Sequence, residues 1–147
     1  MKEDLTLRPV NNDDLQFIHE LNRMTYYENV QKIQPWDEES QLKRSQERMA
    51  SGFLKIIVLQ EKPVGVLLLI KKNDHFFVDY IAILPDFQRQ GICRYFFEKI
   101  VQEAAQKRVP VQLTVLKENP IKPFYESLAF EVIRTDEHRF YMERRCL

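Results

Sequence analysis

The sequence predicts a mixed α/β fold of the α+β kind. It comprises a mostly antiparallel central sheet of about seven strands with helices on both faces. Three observations predict it. Short apolar runs bounded by turn residues read as strands at both ends and in the middle of the chain. Longer runs with apolar residues at helical spacing read as helices. The strands between 53 and 84 follow one another through short turns, as antiparallel hairpins do. Residues 76–84 and 111–116, by contrast, are separated by a helix-length segment, as a parallel crossover requires. The resulting order is β-α-α-β-β-β-α-β-α-β-β.

Each element has its own signal. Leu5-Thr6-Leu7-Arg8 reads as a first strand ended by Pro9. Asn12 fits an N-cap, with Asp13 and Asp14 in the first helical turn, where carboxylates favour the dipole. Leu15, Ile18, Leu21 and Met24 follow at helical spacing, and the pattern breaks over 28–35. Residues 36–50 form a second, very polar helix with Leu42 and Met49 as apolar anchors, expected to lie over the surface. Residues 53–60 and 64–71 flank a turn at Glu61-Lys62-Pro63. Lys72-Asn73-Asp74 then turns the chain into 76–84, which Pro85 helps to end. The helix over 92–107 places Ile92, Phe96, Ile100 and Ala104 on one face, with Cys93, Phe97 and Val101 beside them. Val109-Pro110 leads into 111–116, and 123–127 opens a short helix. Residues 130–134 and 139–143 close as a hairpin around Thr135-Asp136-Glu137-His138.

A length of 147 residues suits a single domain, 1–147, with a real core. Hydrophobic residues at 44% and charged residues at 30% describe an ordinary globular chain. Twenty-two basic and twenty-two acidic residues cancel, so the basic footprint of a nucleic-acid binder is missing. The start, Met1-Lys2-Glu3-Asp4-Leu5, lacks the apolar core of a signal peptide, and the longest apolar run, 64–70, suits a strand rather than a membrane span. No membrane partner is expected. Cys93 and Cys146 have no metal-ligand spacing and no disulfide framework, so no metal is expected and a reducing cytoplasm is the simplest address.

The most informative stretch is Gln88-Arg89-Gln90-Gly91-Ile92-Cys93, between a strand and a helix. A helix start presents unpaired N–H groups and the positive end of the macrodipole, which together suit a phosphate. The chain has three glycines, and one stands here, as if the backbone must pass close to something.

The element order and this loop resemble the GNAT superfamily of acetyl-CoA-dependent N-acetyltransferases. The family loop is Gln/Arg-x-x-Gly-x-Gly/Ala, matched at all but its last place, where Cys93 stands. Residues 81–87 resemble the family's strand end. Asn119 followed by Phe124-Tyr125-Glu126-Ser127-Leu128-Ala129-Phe130 resembles its Asn…Phe-Tyr-Glu-x-Leu-Gly-Phe segment, with Ala129 where Gly is preferred. If that position needs φ > 0, alanine there costs on the order of 1 kcal/mol.

The resemblance implies acetyl-CoA as co-substrate, bound at Gln88 and with its pyrophosphate on the N–H groups of Arg89, Gln90, Gly91, Ile92 and Cys93. Arg89 either adds a charge or is simply solvated. Cys93 is either a small buried hydrophobe or a reactive thiol. The backbone of Ile81, Ala82 and Ile83 is implied to pair with the pantetheine arm and to supply an N–H for the oxyanion. The opening for it is expected between the strands ending at Leu84 and Leu116. Asn119 is implied to lie near the arm, the alternative being a turn residue before Pro120. Phe124 packs beside it, and Tyr125 is either the general acid for the leaving thiolate or a core aromatic. Asp79 is the only carboxylate within 76–84 and shares a strand face with Phe77, Ile81 and Ile83. It is either the base that deprotonates the amine through water, or an exposed or paired carboxylate. Glu28 and His138 are weaker bases. Tyr26, Tyr27, Trp36 and His138 are placed along the acceptor pocket, with ordinary packing as the alternative for the aromatics. The acceptor is a small-molecule or peptide amine, and the resemblance leaves a homodimer open. A non-catalytic acyl-CoA-binding module of the same fold is the competing reading.

Overall fold

The computed structural model describes residues 4–146. Its strands are β1 (Leu5–Pro9), β2 (Leu54–Leu59), β3 (Lys62–Lys71), β4 (Phe76–Ile83), β5 (Val111–Leu116), β6 (Glu131–Thr135) and β7 (Arg139–Arg144). Its helices are α1 (Leu15–Gln31), α2 (Glu38–Ala50), α3 (Ile92–Gln106) and α4 (Lys122–Ser127), with short 3-10 turns at Asn12–Asp14 and Pro85–Phe87. The element order is the expected one. The strands form one sheet in the order β1-β2-β3-β4-β5-β7-β6. β1–β2, β2–β3, β5–β7 and β6–β7 pair antiparallel, while β4 and β5, joined through α3, pair parallel. The chain folds as two compact units, one of the residues up to Leu68 together with Tyr80–Tyr95, the other of Leu69–Asp79 together with residues from Phe96 onward.

In the first unit, Leu54, Ile56, Ile57, Val64, Val66, Leu67 and Leu68 supply a core with Ile18 and Leu21 of α1. The turn before α1 differs from expectation by one residue. Asn11, not Asn12, is the cap: its side chain accepts from Asp13 N at 2.9 Å, and Asp14 Oδ2 accepts from Asn11 N at 2.9 Å. This reciprocal capping box satisfies two donors at once. Asp14 is further clamped by both Nη atoms of Arg8 at 2.9 Å.

The β2–β3 turn is also displaced. Gln60 and Glu61 take φ of 50° and 67°, and Pro63 lies inside β3 rather than in the turn. The register runs Ile57↔Gly65 and then Val58↔Pro63, so Val64 is an extra residue on β3. A bulge tolerates a proline that could not donate to a regular ladder.

Helix α2 reverses the expected polarity. Leu42 and Met49 are only half-buried, whereas Gln41 and Ser45 are buried. Burial of Gln41 is offset by hydrogen bonds, while the Ser45 hydroxyl is buried without a hydrogen-bond partner among the described residues. Asn22 Nδ2 donates to Gln41 Oε1 at 3.0 Å, and the Tyr80 hydroxyl donates to Asn22 Oδ1 at 2.7 Å. The Arg48 guanidinium lies 3.8 Å above the Tyr80 ring.

In the second unit the core is aromatic. Phe97 of α3 packs edge-on against Tyr125 (5.4 Å between centroids), Phe130 (5.9 Å) and Phe124 (6.3 Å). Val111, Leu113, Val115 and Met142 line the neighbouring strands. Ala129 has φ of 70°, so the residue that leads from α4 into β6 is left-handed, as the expected Gly position requires.

Candidate active site

The loop 88–93 is built by short-range bonds. Leu84 O accepts from Phe87 N at 2.9 Å and Pro85 O from Gln88 N at 3.2 Å, which forms the turn after β4. Gln88 Nε2 donates to Ile83 O at 3.0 Å, and Gln90 Nε2 donates to Asp86 O at 3.1 Å. Gly91 O accepts from Tyr95 N at 2.9 Å and opens α3. Arg89 (φ 62°) and Gly91 (φ 84°) are both left-handed. A turn at a helix start offers unpaired N–H groups of the kind that suit an anion. Residues 88–91 are exposed, Ile92 is buried in the core, and Cys93 is half-buried.

At Gly91 a Cβ would meet no protein atom within 4 Å, and its left-handed conformation itself favours glycine. Within the protein, close approach occurs at Gly65, where a Cβ would sit 2.5 Å from Ala82 O and 2.9 Å from Ile83 Cδ1. At Cys93, burial favours the small-hydrophobe alternative: it pushes the thiol up to about 12, against a smaller pull from Arg94.

Along β4 the side chains change character. Phe76, Val78 and Tyr80 are buried, Phe77 is half-buried and Asp79 is exposed; Ile81, Ala82 and Ile83 are all buried. An exposed carboxylate at Asp79 needs no buried partner. The carbonyls of Ile81 and Ile83 accept from side chains, the Tyr26 hydroxyl at 2.7 Å and Gln88 at 3.0 Å.

The acceptor-side aromatics fall into two groups. Tyr26 stacks on Tyr80 (5.2 Å between centroids). Tyr27 and Trp36 pair at 5.3 Å. Trp36 is held from three sides: Gln31 Oε1 accepts from its backbone N at 2.6 Å, Glu38 Oε2 accepts from its indole at 2.8 Å, and Tyr27 covers its ring. The Trp36 bond, with Arg23 and His19 on the other oxygen, holds the Glu38 carboxyl down at about 2. Sequence reasoning missed Glu38, although Trp-x-Glu at a helix start is a local pattern.

In the second unit, Asn119 adopts the turn role, its Oδ1 accepting from Ile121 N at 3.2 Å. Tyr125 is buried among the phenylalanine rings, with Phe124 beside it at 5.5 Å. His138 lies in the β6–β7 turn. Its N–H and that of Arg139 donate to Asp136 Oδ1, while the Tyr141 hydroxyl donates to Asp136 Oδ2. The Tyr141 bond, followed by the two backbone donors, holds Asp136 at about 2.

Residues 24–141 match the family model of the acetyltransferase (GNAT) domain. The chain belongs to the GNAT acetyltransferase family. As a GNAT protein it is an acyltransferase. Solved structures agree on the fold. PaiA N-acetyltransferase from Thermoplasma acidophilum, in complex with coenzyme A, superposes with a TM-score of 0.74 at 18% identity, over 96% of this chain and 98% of that one. The Escherichia coli ribosomal-protein-S18-alanine N-acetyltransferase gives 0.70 at 20% identity, over 97% and 94%. Arabidopsis thaliana Naa50, in complex with the bisubstrate analogue CoA-Ac-MVNAL, gives 0.64 at 17%, over 95% and 97%. No curated protein matches the sequence significantly. Among the described residues of this GNAT chain, no helix is long and apolar enough to cross a membrane.

Proposed function

We propose that this chain transfers the acetyl group of acetyl-CoA to a primary amine of a small molecule or peptide, by direct attack in a ternary complex, with 1–147 acting as one acetyltransferase domain. The observation that carries this reading is the loop 88–93, with left-handed Arg89 and Gly91 at the start of α3, in a chain of this family. Its N–H groups and the helix dipole hold the pyrophosphate. The β4 backbone at Ile81, Ala82 and Ile83 pairs with the pantetheine arm, and Asn119 and Phe124 are read as further donor contacts. A β4 N–H stabilises the oxyanion that forms when the amine attacks the thioester carbon. Cleavage of the C–S bond releases a thiolate, which takes a proton from Tyr125. A free thiol ionises at about 8.5, so this proton is a modest aid near neutral pH. The amine gives its own proton through water to Asp79, which is exposed and so reachable. Tyr27 and Trp36 border the acceptor, with His138 on the closing hairpin. The relatives crystallised with coenzyme A and with a peptide-bearing analogue support this donor and a peptide amine among the acceptors.

Calorimetry with acetyl-CoA, followed by an amine panel monitored for free thiol, tests the reading. Acetyl-CoA binding with amine-dependent thiol release is expected, and no binding at all overturns it. Tyr125→Phe is expected to lower turnover with acetyl-CoA binding retained. The packing of Tyr125 within three phenylalanine rings favours a second reading, a non-catalytic acyl-CoA-binding module. Binding without thiol release from any amine would select it.

A further inference from the structure

Strand β4 presents alternate backbone groups to its two edges. Leu84 N donates to Val64 O at 2.8 Å, and Ala82 O lies against Gly65, so residues 82 and 84 face β3. The backbone groups of Ile81 and Ile83 therefore face the opposite edge. Both carbonyls of that edge are tied by side chains, one from the loop and one from α1: Gln88 holds Ile83 O at 3.0 Å and Tyr26 holds Ile81 O at 2.7 Å.

We propose that Tyr26 is a positioning residue for the acyl donor, its hydroxyl fixing the Ile81–Ala82 peptide before the pantetheine arm lies along β4. This rests on the reading of 81–83 as the donor-binding strand, and it moves Tyr26 from the acceptor side to the donor side. Three features support it. First, Tyr26 is itself held: its ring stacks on Tyr80, which is fixed by Asn22, Gln41 and the Arg48 guanidinium. Second, burial, helped by the nearby Cys93 sulfur and opposed by Arg48, pushes the phenol up to about 12. It therefore keeps its proton and serves as a donor throughout the neutral range. Third, a carbonyl oxygen has two lone pairs, so Ile81 O accepts from Tyr26 and still offers a site to an amide N–H of the arm. Ordering this edge in advance removes an entropic cost from binding.

The test is calorimetry on the full chain with two ligands. Acetyl-CoA carries the arm; adenosine 3′-phosphate 5′-diphosphate carries the phosphates without it. Tyr26→Phe keeps the ring and removes one hydrogen bond, so acetyl-CoA is expected to bind about fivefold more weakly, the size of one net hydrogen bond. The arm-less nucleotide is expected to bind both proteins equally. Equal acetyl-CoA affinity in Tyr26→Phe and wild type overturns the proposal. So does an equal loss for both ligands, the result expected if Tyr26 only supports the fold. If the substitution destabilises the fold, Tyr80→Phe, which leaves the Tyr26 hydroxyl in place, supplies the matched comparison. Loss of the arm's contribution in Tyr26→Phe but not in Tyr80→Phe sustains the role, and loss in both alike overturns it. A wild-type chain that binds the arm-less nucleotide and acetyl-CoA equally overturns this proposal while leaving the phosphate loop intact. One that binds neither overturns the donor reading itself.

Discussion

Gly65 and Gly91 stand in the same compact unit for opposite reasons. At Gly65 the backbone is ordinary and the space is missing, because Ala82 O occupies the place of a Cβ. At Gly91 the space is open and the conformation is unusual, with φ of 84°. The first glycine lets β3 approach the end of β4 and so serves packing. The second shapes the loop that opens α3. A side chain at Gly65 strikes backbone atoms that cannot rotate away, whereas one at Gly91 strains only its own residue.

Substitution by alanine separates the two. Gly65→Ala is expected to destabilise the protein by about 2–3 kcal/mol, the upper part of the range for overpacking a well-filled core, and a urea melt measures it. A melt unchanged within about 0.5 kcal/mol would show that β3 and β4 part without cost. Gly91→Ala is expected to cost only about 1–2 kcal/mol, for one left-handed alanine, and to weaken acetyl-CoA binding about tenfold as the loop relaxes. If Gly91→Ala melts early but binds normally, the loop conformation is structural.

Much of this contrast lay outside the reach of sequence reading. The strand–loop–helix frame around 88–93 was legible because its bonds are local: a proline ends the strand, a glycine turns the chain, and Ile92, Phe96, Ile100 and Ala104 bury one helical face. What could not be read joins distant residues. Nothing at Gly65 announces Ala82, and nothing at Tyr26 announces Ile81. Helix α2 misled in another way, because its buried stripe is polar. Gln41 and Ser45 are buried while Leu42 and Met49 are half-exposed, and the Asn22 bond, itself backed by Tyr80, offsets the burial of Gln41. The displaced cap has a plainer cause: two consecutive asparagines offer the same chemistry, and the 3-10 turn selects the first.

Ala129 extends the comparison to a left-handed residue that is not glycine. Its φ of 70° resembles that of Gly91, but it follows α4 and precedes β6, in the aromatic unit. Here a Cβ is present and the strain is already in the wild type. Ala129→Gly is expected to relieve it and to stabilise by about 0.5–1 kcal/mol, the smaller figure allowing for the greater freedom of glycine in the unfolded chain. A destabilised variant would mean that the alanine methyl contributes packing worth more than the strain.

The smallest effect concerns a backbone fixed by side chains rather than by space or conformation. At the start of α1, Asp14 closes the capping box on Asn11 and takes two bonds from Arg8. The Arg8 bonds, and then the Asn11 N–H, hold its carboxyl below the ordinary value of 3.8, despite an opposing contribution from burial. A carboxyl depressed in the folded state stabilises when ionised. Its contribution is therefore complete above the unfolded value, near pH 4, and is lost as the pH falls through the lower folded value. Because the Arg8 side chain is 36% exposed, solvent screening limits the pair, and about 0.5 kcal/mol is the expected size. Urea melts of wild type and Asp14→Asn should differ by that amount at neutral pH and converge as the pH falls through the lowered folded value. A difference that persists undiminished in acid would place the stabilisation in the shape of the cap rather than in its charge. Asp14 would then join Gly65 as a residue kept for geometry alone.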